Sequence, residues 1–429
     1  MSDDSLPYLL TDFPGVGGAI KQRPEDFFVQ EIPLYDPSGE GEHVYAEIQK
    51  VGLTTLDAVA IIARKLGISP RQIGFAGMKD AQAVTRQTIS IQGHTLSLEA
   101  VMAIKEPNLE VLWASRHGNK LRLGHLAGNR FAVKIREVDP MKVVTLRPAL
   151  DTLSKRGIPN YFGEQRFGRR GNNDLIGAAF LRGDDKEALR LILGDPKASD
   201  GGDIHAARKN FEKGDFERAM GHWPRRSGME RRMLAKFIRT GDATKAIFMA
   251  ELSIRKIWVS ALQSRIFNSV LTQRLATLDQ VQIGDLAYKH DSGACFFVEN
   301  LEAEAPRAER FEISPTGPII GRRMSMARGA PGEIEQSTLD KYGITPADFK
   351  NGDRDRSPGD RRPLRILPRD TQLESGVDQF GGFITVAFTL PPGAYATVLM
   401  RELIKLPGEP EAVDAGVDEE AAGTEESAD

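Results

Sequence analysis

The chain has 429 residues, 40% of them hydrophobic and 27% charged, with a single cysteine. That length and balance exclude a fibrous or wholly disordered protein and point to a soluble globular chain of about two domains. The lone Cys295 excludes intrachain disulfides and a thiolate cluster for zinc or iron-sulfur, and fits a reducing compartment.

The formal charge of -3 is unevenly placed. From Leu406 to Asp429 there are nine Asp or Glu and no Lys or Arg, so residues 1–405 hold 51 acidic against 57 basic residues, about +6. The body is basic, and the tail, rich in Ala, Gly and Glu, is expected to be disordered. The opening Met1-Ser2-Asp3-Asp4-Ser5 lacks a positive leader and an apolar core, and no later run approaches the length of a membrane span, which reads as cytoplasmic.

In chain order, Phe27–Ile32 and His43–Ile48 read as strands on either side of the turn-rich Pro37–Glu42. Thr54 or Thr55 is positioned to cap a helix over 55–66, whose apolar Leu56, Val59, Ala60, Ala63 and Leu66 recur at helical spacing and stop at Gly67. Next comes Gly74-Phe75-Ala76-Gly77-Met78-Lys79-Asp80-Ala81-Gln82-Ala83-Val84-Thr85-Arg86-Gln87, a small-residue loop that delivers one carboxylate, Asp80, into basic surroundings. Gly74 and Gly77 are read as allowing tight turns and close approach of a ligand, and 84–91 as the strand that follows. A strand is expected around 109–113, and 120–136 reads as a hairpin of two alternating strands with Gly128-Asn129 at its turn.

Residues 154–174 interleave Lys155, Arg156, Arg166, Arg169 and Arg170 with Tyr161, Phe162 and Phe167, a mixture of cations and flat rings that suits looped or single-stranded RNA. A largely helical region follows over 175–193, 229–240 and 246–275. Between Arg208 and Arg239 ten Lys or Arg face four acids, which favours phosphate contact. Residues 278–345 shift to short strands and turns, including Pro315-Thr316-Gly317-Pro318, and the polar stretch 351–360 reads as a domain boundary. Gly382–Leu390 alternates as a strand before a closing helix over 396–405.

The loop around Asp80 resembles the signature of the TruD family of tRNA pseudouridine synthases. Four further segments match that family in order: Lys21–Glu31, Gly128–Phe131, Pro159–Gly168, and Leu390–Thr397 followed by Arg401-Glu402-Leu403. Phe131 and Lys21 agree with this family's pattern, where many other pseudouridine synthases use a tyrosine and an arginine.

The resemblance implies an α+β (mixed α/β) fold, with a catalytic domain built on a mainly antiparallel sheet flanked by helices and a large inserted α+β TRUD domain. The family's first and last motifs belong to one catalytic domain. The expected division is therefore 1–158 and 359–405 for that domain, 159–358 for the insertion and 406–429 for the acidic tail. The implied activity is a cofactor-independent isomerisation of uridine to pseudouridine in tRNA, at uridine 13 of the D arm.

By the same resemblance Asp80 is the catalytic carboxylate, which must be ionised, and Lys21 beside it favours that form, with Arg86 a further helper. Glu25, Gln87 and Asn129 support the site, and Phe131 and Phe388 stack on the extruded base. Lys79, Arg86, Arg166, Arg169 and Arg170 are expected to contact RNA. The expected partner is tRNA, with no membrane and no metal, and the protein is expected to act as a monomer.

Residues 175–300 match none of the family motifs, so a broader range of RNA targets is an alternative. A non-catalytic RNA-binding or chaperone protein is another, although a carboxylate in an RNA groove repels phosphate. A metal-dependent nuclease fits poorly, because the seven histidines are scattered and no carboxylate cluster has metal-ligand spacing.

Overall fold

Alternation of apolar and polar side chains organises the first part of the chain into seven strands: β1 (Phe27–Pro33), β2 (His43–Val51), β3 (Ile73–Phe75), β4 (Val84–Gln92), β5 (Lys105–Glu106), β6 (Leu109–His117) and β7 (Leu126–Arg136). Near the end of the chain β8 (Arg369–Asp378) and β9 (Gly381–Leu390) complete the set. These elements belong to a computed structural model that describes residues 6–350, 352, 354 and 357–405; the acidic tail lies outside the described residues.

The nine strands form one sheet in the order β8-β9-β7-β1-β4-β2-β6-β5, with β3 also on β4. Every pairing is antiparallel except β1 with β4. That exception positions the site. Parallel strands start at the same edge, so the segments leading into β1 and β4 are brought side by side, Phe28 opposite Val84, and antiparallel β2 ends there too, Val51 opposite Val84.

Register places Phe27, Val29 and Glu31 on one face with Val44, Ala46, Ile48 and Lys50, with Thr85, Gln87, Ile89 and Ile91, and with Asn129, Phe131, Val133 and Phe388. The helix Thr55–Leu66 covers part of this face. Thr54 and Asp57 form a reciprocal capping box at its start, Gly67 closes it in the left-handed conformation, and Ala58, Val59, Ile62 and Ala63 pack on Val44, Ala46, Ile48, Ile89 and Ile91. Each large aliphatic side chain buried there contributes about 1.5–3 kcal/mol.

Two compact units emerge: one holds the described residues up to Asn160 and from Arg365 onward, and the other is Tyr161–Leu364. Chain crossings at 160/161 and 364/365 compare with the expected 158/159 and 358/359. The second unit is mainly helical and has its own core, including Phe180, Leu189, Met233, Trp258 and Leu262.

Three local expectations change. The stretch 120–136 is not a hairpin: β7 runs unbroken through Gly128 and Asn129, which pair with Ile32 and Glu31 of β1. Gly128 is required by close approach rather than by a turn, since a Cβ there would lie 2.6 Å from the Leu390 carbonyl oxygen of β9. The helical stretch expected over 175–193 is interrupted and forms two helices, Asn173–Leu181 and Asp185–Leu193, because Asp184 caps the second by accepting the Glu187 N–H. Finally, 278–345 is less strand-rich than expected, with helices Leu301–Glu309 and Gly329–Tyr342. The proline-rich Ile313–Ile319 is a strand between Leu286–Lys289 and Asp360–Pro363, held by burial rather than by local propensity.

Candidate active site

At the edge where β1 and β4 begin, Lys21 Nζ lies 2.5 Å from Asp80 Oδ2, and the Gln82 N–H donates to Asp80 Oδ1 at 2.9 Å. The Lys21 side chain is 8% exposed and that of Asp80 33%, so the cation is enclosed while the carboxylate stays reachable. Burial alone would raise the Asp80 pKa. The hydrogen bond and charge of Lys21, the Gln82 N–H and the charge of Lys50 outweigh it and hold the carboxyl below its ordinary range.

Lys21 has φ of 58°, in the left-handed region that costs a residue with a side chain roughly 1–2 kcal/mol. Arg136 holds its loop at both ends. Its backbone exchanges hydrogen bonds of 3.0 and 2.8 Å with Ala19, and its guanidinium donates to Asp26 Oδ1 at 3.0 and 2.6 Å. The same guanidinium grips both oxygens of Asp378 at 2.7 and 2.8 Å. Lys21 Nζ also sits 4.6 Å above the Phe27 ring.

The Asp80 loop is moored from below. The Lys79 N–H donates to Thr55 Oγ1 (2.9 Å), the Thr55 hydroxyl donates to Gln87 Oε1 (2.9 Å), and Gln87 Nε2 donates to the Gly77 carbonyl (3.3 Å). Gln87 is fully buried, so it supports the loop and is shut off from a substrate. Of the two loop glycines only Gly74 is sterically demanded, because a Cβ there would collide with the Leu121 carbonyl; at Gly77 the nearest atom is Lys79 Nζ at 3.7 Å.

Other expected residues fall differently. Glu25 is exposed and makes no hydrogen bond to Lys21; Asp26, its neighbour, is the buried acid of the segment. Lys79, expected to face RNA, has a side chain only 6% exposed, with its ammonium 3.1 Å from Glu31 Oε2 and donating to Asn129 Oδ1 at 2.8 Å. Arg86 lies on the opposite face of the sheet from Gln87, where its Nε donates to Gln49 Oε1 (2.8 Å) and its guanidinium lies 5.3 Å from the Phe28 ring. A one-residue step along a strand reverses the face, so Arg86 is turned away from Asp80.

Phe131 is 7% exposed and stacks on Phe388 at 5.3 Å and 24°, with Phe27 edge-on at 6.3 Å and 70°. Phe388 has no exposed surface to offer a base and instead backs the Phe131 ring. The three arginines belong to the other unit. Arg166 donates to Ser260 and Ser264 and Arg170 pairs with Asp195 and Asp200, whereas Arg169 is exposed and free of ion pairs among the described residues.

Sequence reading missed Glu31, Lys50, Asp26 and Arg136. For the first two the signal was strand phase: Phe27-x-Val29-x-Glu31 and Val44-x-Ala46-x-Ile48-x-Lys50 each end an inward-facing series on a charge. Burial raises the Glu31 pKa against the opposing pull of Lys79. Among the described residues no three His, Cys, Asp or Glu gather to hold a metal ion, and no helix is long and apolar enough to cross a membrane.

Comparison with known proteins covers nearly the whole chain. The family model described as tRNA pseudouridine synthase D (TruD) matches residues 5–403. The tRNA pseudouridine synthase D of Geobacter sulfurreducens is 46% identical over 402 residues, 94% of this chain and 97% of the relative. That of Geobacter metallireducens is 46% identical over 399 residues, 93% and 97% of the two chains. A crystal structure from Methanosarcina mazei that carries the TruD designation superposes with a TM-score of 0.83 at 28% identity, covering 93% of this chain and 96% of that one. With five motifs in order, a matching fold and relatives aligned from end to end, the chain belongs to the tRNA pseudouridine synthase D (TruD) family.

Proposed function

We propose that this protein isomerises uridine to pseudouridine in tRNA, at uridine 13 of the D arm, with Asp80 as the catalytic carboxylate. The observation that carries the reading is the Lys21–Asp80 pair: a carboxylate one-third exposed, held ionised by a lysine that is itself enclosed.

Pseudouridine formation detaches uracil from the ribose, turns it and rejoins it through carbon, with no oxidation and no net hydrolysis. Asp80 attacks the sugar or base, or removes the proton that starts glycal formation, and only its ionised form does either. The uridine must leave its stack to reach it. Phe131, backed by Phe388, supplies the ring beside the extruded base. Asn129, half-buried and with its oxygen held by Lys79, keeps its NH2 group to donate to base or sugar. Arg169 and the exposed Arg218, Arg225, Arg226, Arg232 and Arg239 contact phosphates, while Arg166 and Arg170 brace the segment that carries Arg169. The reading requires no cofactor and places the enzyme in the cytoplasm as a monomer.

The test is incubation of wild-type and Asp80→Asn protein with unmodified tRNA transcript, without added metal or nucleotide, followed by site-resolved mapping of pseudouridine. Modification at uridine 13 by the wild type alone is expected. Modification elsewhere moves the target and keeps the chemistry, and none on any RNA overturns the reading in favour of a binding protein.

A further inference from the structure

Lys50 ends β2 in the inward phase of Val44, Ala46 and Ile48 and is fully buried. Its Nζ donates to the carbonyls of Leu53 (2.6 Å), Asp80 (3.2 Å) and Lys79 (3.4 Å) and to no carboxylate. A buried cation hydrogen-bonded only to neutral carbonyls is a costly way to fill space, and a methionine would fill the same volume without the charge. What the lysine adds over a methionine is three donors for the carbonyls of two loops.

We infer that Lys50 is a positioning residue for Asp80: its three donors gather the turn after β2 and two consecutive carbonyls of the catalytic loop, and so set the direction of the Asp80 side chain. The inference rests on Asp80 being the catalytic carboxylate. The loop has no regular structure from Met78 to Ala83. Thr55 and Gln87 moor it through Lys79 and Gly77, and Lys50 moors it at Asp80 itself.

The charge of Lys50 matters as well as its reach. It is among the groups that hold the Asp80 carboxyl low. The charged groups facing Lys50 are Asp80 and Lys79 of the loop and Asp57 at the start of the helix. Burial, aided by Lys79, lowers its pKa to about 8 against the pull of Asp80 and Asp57. A function that needs the ammonium is therefore complete well below pH 8, half lost at about pH 8 and gone above it.

The experiment measures kcat, KM and the pH profile on tRNA transcript for wild type, Lys50→Met, Lys50→Arg and Asp80→Asn, with thermal unfolding and tRNA binding alongside. Lys50→Met is expected to fold and bind tRNA as the wild type does, while kcat falls roughly 10- to 100-fold and the acid limb of the profile moves to higher pH. A kcat within about threefold of wild type and an unmoved acid limb, with Asp80→Asn inactive, overturns the inference. If Lys50→Met does not fold, Lys50→Arg decides. Arginine stays charged throughout the assay range, so the alkaline decline near pH 8 should vanish, and its persistence unchanged overturns the proposal. An active Asp80→Asn strikes instead at the catalytic assignment on which the inference rests.

Discussion

Two lysine–carboxylate pairs on the same sheet behave in opposite ways. Lys21–Asp80 sits at the strand edge with the acid 33% exposed, and the pKa of Asp80 is lowered. Lys79–Glu31 lies inside with the acid 1% exposed, and the pKa of Glu31 is raised. Burial is the largest influence on both carboxyls, but at Asp80 the summed pull of Lys21, Gln82 and Lys50 exceeds it and at Glu31 the pull of Lys79 and Thr88 does not. Of the two pairs, the one that water still reaches on one side is the one whose carboxyl stays below its ordinary range. The inner pair is a brace that orients Asn129.

The largest expected effect separates the two. Asp80→Asn should reduce turnover by at least about a thousandfold while changing unfolding free energy by only about 1 kcal/mol, because the asparagine keeps an oxygen to accept from the enclosed Lys21 ammonium on the side that water reaches. A urea titration beside single-turnover kinetics checks both, and a large stability loss would merge the two pairs into one structural class. Glu31→Ala should do the reverse, costing about 1–3 kcal/mol in the same titration because the buried Lys79 ammonium loses one acceptor and keeps only Asn129 Oδ1. Near-normal stability would mean that water reaches Lys79.

Phe131→Ala should remove base stacking worth roughly 1–3 kcal/mol, read as weakened productive binding of tRNA. Phe388→Leu keeps an apolar side chain behind Phe131 and should cost less than about 1.5 kcal/mol of stability, with a smaller loss of activity than Phe131→Ala. Equal losses of activity would place both rings against the base.

The smallest effect is one of pH. A carboxyl with a lowered folded pKa contributes its charge above its ordinary value and loses it only as pH falls through the lowered one. Turnover should accordingly stay level from about pH 7 to about pH 5, measured in buffers of constant ionic strength. A decline in that window would mean that Asp80 titrates above its ordinary range. Glu31 has the opposite sign: its raised pKa means that acidification relieves the cost of burying its charge, so Glu31 does not drive acid unfolding.

Local signals were readable where the cause is local. A threonine cap at 54 or 55, the helical spacing up to Gly67 and the alternation in Gly382–Leu390 each depend on neighbours a few residues away. Gly128-Asn129 misled because a turn and a close strand approach call for the same residue types, and only the Leu390 carbonyl distinguishes them. Arg86 was expected as a helper for Asp80 by resemblance, yet strand phase turns it to the other face from Gln87.

The amino-acid sequence by itself determined the family, through five motifs in order, and the candidacy of Lys21, Asp80 and Phe131, because those motifs carry them. Tertiary structure decided how those charges meet and which others, Lys50, Glu31, Asp26 and Arg136, surround them. The parallel pairing of β1 with β4 joins Lys21 to Asp80 across 59 positions, and Arg136 bonds Ala19 and Asp26 on either side of Lys21. The inward phase of β2 buries Lys50 beneath the loop. Register between distant strands is a property of the packed sheet, and the shift of a carboxyl's pKa depends on the water and charges that the packing leaves around it.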